Sequence, residues 1–502
     1  MESLSCFEFS SARLEKNLIR LEARKKQTGL SSKLGSSNEP SSKRDIQPLK
    51  SLCTAEQNAA GHKSLSNACG AYTGPLLPIG ETSSDKLENE NAWSQNGTLL
   101  GFKQEPFYGA HGNLNGNVGL PVDAASCTLA QLIEDEQDNG LWPLEHPLPL
   151  PGWEEEYIAP YRLNNIREYE TLACEIEMHL RKVLEEHNYD TVGNFLKLYE
   201  SYKKSGNDNL LEFFHLYSPP ITSEHHTCVG LAFELWNRLR LNLDSKYPGI
   251  GNHICVVSCE EEIDSPIVYT NAFRYDPTSL PYRLEKEHVM MCLKVEFSGR
   301  TAVMLCDPGY HVARVVTVMS DGAYPHTGWF IQSEEGNTRK DYNYQLTPNN
   351  KHFVEWNERT TRNGKVDTFA GIIYVGRPYL TAVDVTERRN LVYGFKSLLS
   401  RDQKGDLIAG IYFKLLQNGD EFTIFYQNMG KQRIKLRFSD FMKPEIDKGL
   451  LEKISICNEQ LNLPENKLLN IIRTSGTILR DTSFLLQLLD VDRCISILSA
   501  NN

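Results

Sequence analysis

The hydrophobic period of this chain changes along its length, and no other feature constrains the fold as strongly. Over residues 164–204 the apolar side chains recur at a helical spacing, which predicts a long amphipathic helix. Its apolar stripe consists of Leu172, Ile176, Leu180 and Leu184. From Ile254 to Leu380 the apolar residues instead form short β-branched and aromatic runs, which are typical of strands. This order predicts an α+β fold, with an N-terminal helical bundle followed by an antiparallel β-barrel or sheet.

Turn residues divide the β-rich part into separate predicted strands. The runs are ICVVS, IVYTNAF, VMMCLKVEF, TAVMLCD, VARVVTVM and GIIYVG, followed by DLIAGIYFKLLQ, EFTIFYQNM and RIKLRF. Asn418-Gly-Asp joins the first two of the later runs, which predicts a hairpin. The period becomes helical again after Pro444, so residues 444–502 are predicted to form a helical extension. Such an extension either packs on the sheet or offers a groove to a protein partner.

In the first 150 residues the apolar side chains follow neither the helical nor the strand pattern. They are rich in Ser, Asn, Gly and Lys, with stretches such as SSKLGSSNEPSSKRD, and this composition predicts a disordered, low-complexity tail. Within it, Ser11 to Lys26 is either a docking helix for a partner or a transient helix. The Pro-rich run LWPLEHPLPLPGW predicts an extended linker. A folded domain is therefore predicted over residues 151–443.

Charge and cysteine usage exclude several classes of function. A net charge of -12 argues against broad binding to nucleic-acid phosphates, which requires a positive surface. The sequence contains no run of about 18 apolar residues for a membrane span, and no basic region followed by an apolar stretch at the N-terminus. A cytoplasmic protein with reduced thiols is expected, with the nucleus as the alternative compartment. His253-Ile-Cys-Val-Val-Ser-Cys259 is typical of a strand, so no metal site is expected.

Cys228 stands where a polar loop changes into an amphipathic helix. Thr227 before it belongs to the residue types that cap helix N-termini. The free N–H groups and the positive dipole end of a helix favour the thiolate form of a cysteine in the first turn. Ala232, Leu235 and Leu239 share its face, which predicts that the thiol lies at the end of a buried stripe. The alternative is an ordinary core cysteine.

A predicted hairpin further along the chain brings a histidine and an aspartate together. If Ser298 and Gly299 form a two-residue turn, the ladder pairs Asp307 with Met290. Because side chains alternate along a strand, His288 shares the face of Met290 and lies diagonal to Asp307. The carboxylate can then reach the imidazole. A three-residue turn would send the aspartate to the opposite face.

Together these residues predict a Cys-His-Asp triad: Cys228, His288 and Asp307. In such a triad the imidazole takes the thiol proton and later protonates the leaving group, while the acid orients the imidazole. Four other histidines compete for the role of base: His225, His226, His311 and His326. His288 is favoured over them because it begins a strand whose partner strand ends in an acid.

These residues resemble the arylamine N-acetyltransferases of the papain-like superfamily. The resemblance covers about residues 157–443 and rests on a helix-initiating Cys228, a strand that begins with His288, and a returning strand that ends in Asp307-Pro-Gly-Tyr. It implies a helical bundle, a β-barrel and a third α/β part. It also implies acyl transfer from acetyl-CoA or another acyl-CoA to a small-molecule amine, with no permanently bound cofactor. Cys228 would be the nucleophile, His288 the base and Asp307 the orienting acid.

Two other functions remain open. Asp307-Pro308 and the long interval between Cys228 and His288 also resemble the transglutaminase-like superfamily, which implies amide hydrolysis or exchange through the same triad. A catalytically degenerate fold would instead bind proteins through the N-terminal tail or the C-terminal helices. The presence of all three triad residues favours an enzyme, while the acyl acceptor stays open.

Overall fold

A computed structural model describes residues 146–273 and 286–499 of the chain. Within these ranges the predicted α+β class is confirmed, because helices accompany two antiparallel sheets. The predictions of a disordered tail and of a helix over Ser11 to Lys26 lie outside the described residues, apart from the last few residues of the proposed tail.

The strands carry the framework of the fold. In chain order they are β1 Tyr161–Leu163, β2 Tyr189–Asp190, β3 Ile254–Glu260, β4 His288–Phe297, β5 Arg300–Cys306, β6 Val316–Met319, β7 Phe330–Glu335, β8 Thr338–Leu346, β9 Phe353–Arg362, β10 Lys365–Tyr374, β11 Phe395–Arg401, β12 Leu407–Lys414, β13 Glu421–Gln427 and β14 Lys431–Arg437. Nine of them form one curled, half-barrel sheet in the order β6-β5-β4-β3-β10-β9-β8-β7, with β1 parallel to β4. The other five form a second sheet in the order β14-β13-β12-β11-β2.

The helices pack around and between these sheets. They are α1 Ile166–Glu186, α2 Val192–Ser205, α3 Leu210–Leu216, α4 Cys228–Leu243, α5 Pro266–Ala272, α6 Arg388–Val392, α7 Phe438–Phe441, α8 Lys448–Gln460, α9 Lys467–Ile478 and α10 Thr482–Ser499. A π-helix, Ala382–Glu387, leads directly into α6. Across the described ranges, no helix combines the length and apolar character needed to cross a membrane.

Helices α1 and α4 pack on one face of the nine-stranded sheet. The predicted stripe of α1 is buried, and three of its four residues share a core with Leu235 and Leu239 of α4 and with Met291 and Leu293 of β4. Helix α2 belongs to a different core. The predicted N-terminal helical bundle is therefore not observed as a separate unit among the described residues. The first helices bury their apolar faces against sheets as well as against each other.

The C-terminal helices pack into the second core. Ile454, Leu468 and Phe484 of α8, α9 and α10 are buried together with Phe195 of α2 and Ile424 of β13. Of the two alternatives for this extension, packing on the sheet is the one observed. Cys228 and Ala232 of α4 reach into the same core, so α4 lies between the two packing regions.

One predicted strand is wrong. The run IVYTNAF forms helix α5, because Ser265 accepts a hydrogen bond from the N–H of Val268 as an N-cap and Pro266 occupies the first helical turn. The strands that were not predicted are β1, β2, β7, β8, β9 and β11. Strands β8 and β9 carry many polar residues, so they lack the apolar pattern that predicts a strand. They are held in the sheet by backbone pairing along nine positions.

Candidate active site

Cys228 is the first residue of helix α4 and is buried. Thr227 is the N-cap, as predicted, and its hydroxyl oxygen accepts the N–H of Val229 at 3.2 Å. The same hydroxyl donates to the carboxylate of Glu387, which lies 160 residues further along the chain. The start of the helix is thus fixed by its own cap and by a distant buried acid.

The β4–β5 hairpin has the predicted register. Phe297 pairs with Arg300, which leaves Ser298 and Gly299 as a two-residue turn, and both turn residues have the positive φ that this turn requires. The ladder continues to the pair Met291 and Cys306. Asp307 follows directly, at the position opposite Met290 that the two-residue turn predicted.

His288 and Asp307 form a buried pair at the end of this hairpin. His288 Nε2 lies 3.0 Å from Asp307 Oδ1, and both side chains are about 4% exposed. The backbone N–H of Tyr310 donates to the same carboxylate oxygen at 3.0 Å, which holds the acid in place. With Nε2 used by the acid, the imidazole is oriented by a charged acceptor, the arrangement that fixes a tautomer.

Cys228 and this pair meet at Gly309. A Cβ atom added at Gly309 would lie 2.8 Å from Cys228 Cβ, 2.7 Å from His288 Cε1 and 3.3 Å from Asp307 Oδ1. Such distances are too short for a side chain, so the close approach of helix α4 to the hairpin requires glycine here. The three residues predicted from the sequence therefore lie together, although they come from two separate elements.

The imidazole of His288 is electrostatically unusual. Burial lowers its pKa, but the charge of Asp307, the hydrogen bond with Asp307 and the nearby Cys228 thiol outweigh burial and raise the pKa to about 10. The protonated ring is thus strongly favoured between a carboxylate and a thiol. An imidazolium beside a cysteine stabilises the thiolate, which is the nucleophilic form.

The competing histidines have other surroundings. His225 Nδ1 contacts Asp190 Oδ2 at 2.5 Å, and His326 Nδ1 accepts the N–H of Met319 at 3.2 Å. Burial is the main cause that lowers the pKa of His226 to about 4 and that of His311 well below its usual value. His288, by contrast, lines a pocket together with Cys228.

That pocket opens beside the thiol. Its lining includes acidic, aromatic and basic side chains: Tyr189, Glu261, Glu262, Glu287, Tyr310 and Arg389. The hydroxyl of Tyr310 donates to the carboxylate of Glu261, and Glu287 accepts the backbone N–H of Glu261 at 2.6 Å. Arg389 forms an ion pair with Asp492 of α10 at 2.8 Å. These polar contacts hold several of the side chains that line the pocket in place.

A third segment reaches the site, and no pattern in the sequence predicted it. We call residues Ala382–Lys396 the clamp segment; it comprises the π-helix, α6 and the start of β11. Asn390 on this segment directs its amide Nδ2 to Cys228 Sγ at 3.6 Å. Thr386 donates to the carbonyl of Lys286, two residues before His288, at 2.6 Å. π-Helical turns occur often at functional sites, but the sequence AVDVTE carries no recognisable signal for one.

Glu387 links the clamp segment to the helices around the thiol. Besides the bond from Thr227, its carboxylate accepts from Asn194 Nδ2 at 2.8 Å. Burial raises the pKa of Glu387 to about 7, and the two hydrogen bonds oppose that rise. The acid therefore serves as a buried acceptor for both α2 and the cap of α4.

Two buried cations of β11 hold the other side of the site. Lys396 Nζ donates to the carbonyls of Asn390, Leu391 and Tyr393 at 2.8, 2.9 and 2.8 Å. Arg401 donates to the carbonyl of Pro308 at 2.6 Å, next to Asp307. Burial is the main cause that lowers the pKa of Lys396 to about 7 and that of Arg401 to about 9. Strand β11 therefore supports both Asn390 and the loop that carries the acid.

The described residues contain no group of His, Cys, Asp and Glu side chains arranged to hold a metal ion. The cysteines within those ranges are free thiols: Cys174, Cys228, Cys255, Cys259, Cys292, Cys306, Cys457 and Cys494. Cys255 and Cys259 lie in strand β3, as their sequence pattern predicted.

Comparisons with known proteins add little to this geometry. No family model matches the sequence, and none of the curated proteins matches it. Among solved structures, an arylamine N-acetyltransferase of Nocardia farcinica is similar to this chain, with a TM-score of 0.31 and 11% identity. The similarity covers 72% of this chain and 100% of that one. A likeness at this level is a weak resemblance of fold and carries no argument about activity.

Proposed function

We propose that Cys228, His288 and Asp307 form a catalytic triad for acyl transfer through a thioester on Cys228. The observation that carries the proposal is the buried contact of 3.0 Å between His288 Nε2 and Asp307 Oδ1, with Cys228 beside the same ring at Gly309. A nucleophile, a base within reach and an acid that orients the base are the parts that covalent catalysis by cysteine requires.

In the proposed reaction the Cys228 thiolate attacks the carbonyl carbon of an acyl donor. The π electron pair moves to oxygen, and its return expels the leaving group, which takes a proton from His288. An amine then attacks the thioester, gives its proton to His288, and the carbon–sulfur bond breaks to release the amide and the thiolate. Asp307 keeps the imidazole oriented throughout.

We propose acetyl-CoA or another acyl-CoA as the acyl donor and a small-molecule amine as the acceptor, following the resemblance to the N-acetyltransferases. Residues 151–443 would form the catalytic domain. Helices α8 to α10 would support it, because they share a core with Cys228. A protein partner that binds the N-terminal tail or these helices is compatible with this arrangement.

The test is covalent labelling by acetyl-CoA, followed by intact-protein and peptide mass spectrometry. The wild-type chain is expected to carry one acetyl group on Cys228, and Cys228→Ala none. Cys174→Ala is the matched control, because Cys174 is an exposed thiol on α1, and it should retain the label. An unlabelled Cys228 that iodoacetamide still alkylates would contradict acyl-CoA as donor. Release of ammonia from a glutamine-containing peptide without CoA would indicate the transglutaminase-like reaction instead.

A further inference from the structure

We propose that the side-chain amide of Asn390 binds the oxyanion that forms when Cys228 attacks an acyl donor. This inference rests on the proposed function and assigns a further catalytic residue to the same site. Asn390 Nδ2 lies 3.6 Å from Cys228 Sγ, and both residues line the pocket that also exposes His288. The amide therefore faces the sulfur atom to which the tetrahedral carbon would be bonded.

The distance suits a donor to oxygen. In the tetrahedral intermediate the oxyanion is two bonds from Sγ, and an effective donor lies about 2.7–3.1 Å from that oxygen. An N–H group that already points at the sulfur from 3.6 Å can reach an oxygen next to it without a large movement. The Nε2 atom of His288 is engaged with Asp307 and the ring lies beside Cys228, so the imidazolium can give its proton to the leaving group.

The backbone around Asn390 is held rigidly, as a preorganised donor requires. Lys396 Nζ donates hydrogen bonds to the backbone carbonyls of Asn390 itself, Leu391 and Tyr393. Glu387, one turn earlier, is bonded to Thr227, the residue before Cys228. The donor and the nucleophile are thus tied to each other through buried groups, which limits reorganisation when charge develops on the oxygen.

The proposed role moves no proton. The π electron pair of the acyl carbonyl moves onto oxygen as the carbon–sulfur bond forms, and the Asn390 N–H donates a hydrogen bond to the resulting negative charge. When the pair returns, the leaving-group bond breaks and the leaving group takes its proton from His288. Asn390 is unchanged at the end of the cycle.

Two reactions of the same thiol separate this role from a structural one. Acylation of Cys228 by p-nitrophenyl acetate passes through an oxyanion, whereas alkylation by iodoacetamide is a displacement at carbon without one. In Asn390→Ala the acylation rate is expected to fall about 10²–10³-fold. The alkylation rate should stay close to that of wild type, because it depends on the thiolate alone.

Asn242→Ala is the matched control. Asn242 is an exposed residue on the same helix as Cys228, its amide donates to the carbonyl of Arg238 at 2.7 Å, and its removal should change neither rate. Thermal unfolding of both variants, together with the alkylation rate, reports whether the site remains folded.

Each outcome decides the proposal. Loss of acylation with retained alkylation supports it. Equal acylation in Asn390→Ala and wild type overturns it, and so does an equal loss of both rates, which would mean that the amide acts on the thiol itself. If wild-type Cys228 is acylated no faster than the exposed Cys174, the proposed function fails as well, and this is seen before any variant of Asn390 is made.

Discussion

The β4–β5 hairpin and the clamp segment approach the same thiol, but they are held by different forces. In the hairpin a regular backbone ladder fixes the position of His288 and Asp307, which lie nineteen residues apart. The clamp segment has no ladder near Asn390. It depends on a few buried charged groups, and the contacts of Glu387 span 160 and 193 residues.

This difference indicates that the position of the His288–Asp307 pair is robust to single substitutions, whereas the surroundings of Cys228 are sensitive to them. Many weak, repeated bonds define the register of a hairpin, and no single side chain decides it. In the clamp segment each buried donor or acceptor has only a few partners. Removal of one leaves groups unsatisfied in a low-dielectric interior, at a cost of about 1–3 kcal/mol for each group.

Of the substitutions proposed, Asp307→Asn in the β4–β5 hairpin is expected to reduce the rate of Cys228 acylation most strongly. The amide keeps the shape of the acid but loses its charge and favours the wrong tautomer of His288, so the rate of Cys228 acylation should fall about 10⁴-fold. Stopped-flow release of p-nitrophenol measures this rate. Asp321→Asn, the same change at an exposed site that pairs with Arg300, should leave the rate unchanged. A loss of less than tenfold in Asp307→Asn would mean that this acid does not orient the base.

The pH dependence of the free energy of unfolding tests the His288–Asp307 pair without an activity assay. The pKa of His288 is raised from 6.5 to about 10, so the folded state holds its proton more tightly than the unfolded state. This stabilisation is fully present below pH 6.5 and is lost as the pH rises through about 10, and it amounts to on the order of 5 kcal/mol.

Urea unfolding of wild type and His288→Gln over this pH range measures the effect. The difference in their free energies of unfolding should shrink as the pH rises, because only the wild type loses a proton from this site. Titrating groups that lie away from His288, Asp307 and Cys228 act alike on both proteins and cancel in the difference. Parallel curves would show that His288 is not stabilised in its protonated form.

Lys396→Met tests the clamp segment. Methionine fills a similar volume but donates no hydrogen bonds, so three carbonyls lose their donor and the free energy of unfolding should fall by about 3 kcal/mol. Acylation of Cys228 should slow more than its alkylation, because Asn390 loses its anchor. Lys204→Met, an exposed lysine of α2 paired with Glu200, should change stability by no more than about 0.5 kcal/mol. Equal effects of the two substitutions would refute the supporting role of Lys396.

The parts of the site that could be predicted from the sequence are those with local signals. Ser298-Gly299 fixed the hairpin register, and Thr227 marked the start of α4, because both effects act within a few residues. Helix α5 has such a signal too, in Ser265-Pro266, but the apolar run that follows it favours a strand. Strong caps can override β propensity in short segments.

The clamp segment could not be predicted in this way. In the run FKSLLSR, the charged residues Lys396 and Arg401 suggest exposure to solvent, yet every residue of β11 is buried. Their partners are backbone carbonyls at the end of α6 and beside Asp307, and no pattern of residue types encodes such contacts. Asn390 was missed for the same reason, since its position depends on long-range packing and on a π-helix.

The central claim is that His288 controls the reactivity of Cys228, and iodoacetamide alkylation across pH tests it most directly. Peptide mass spectrometry follows Cys228 and, as an internal standard, the exposed Cys174 in the same sample. At neutral pH the alkylation rate of Cys228 should be much higher in the wild type than in His288→Ala, because an imidazolium beside a cysteine favours the nucleophilic thiolate. Superimposable pH profiles of Cys228 in the two proteins would contradict the triad.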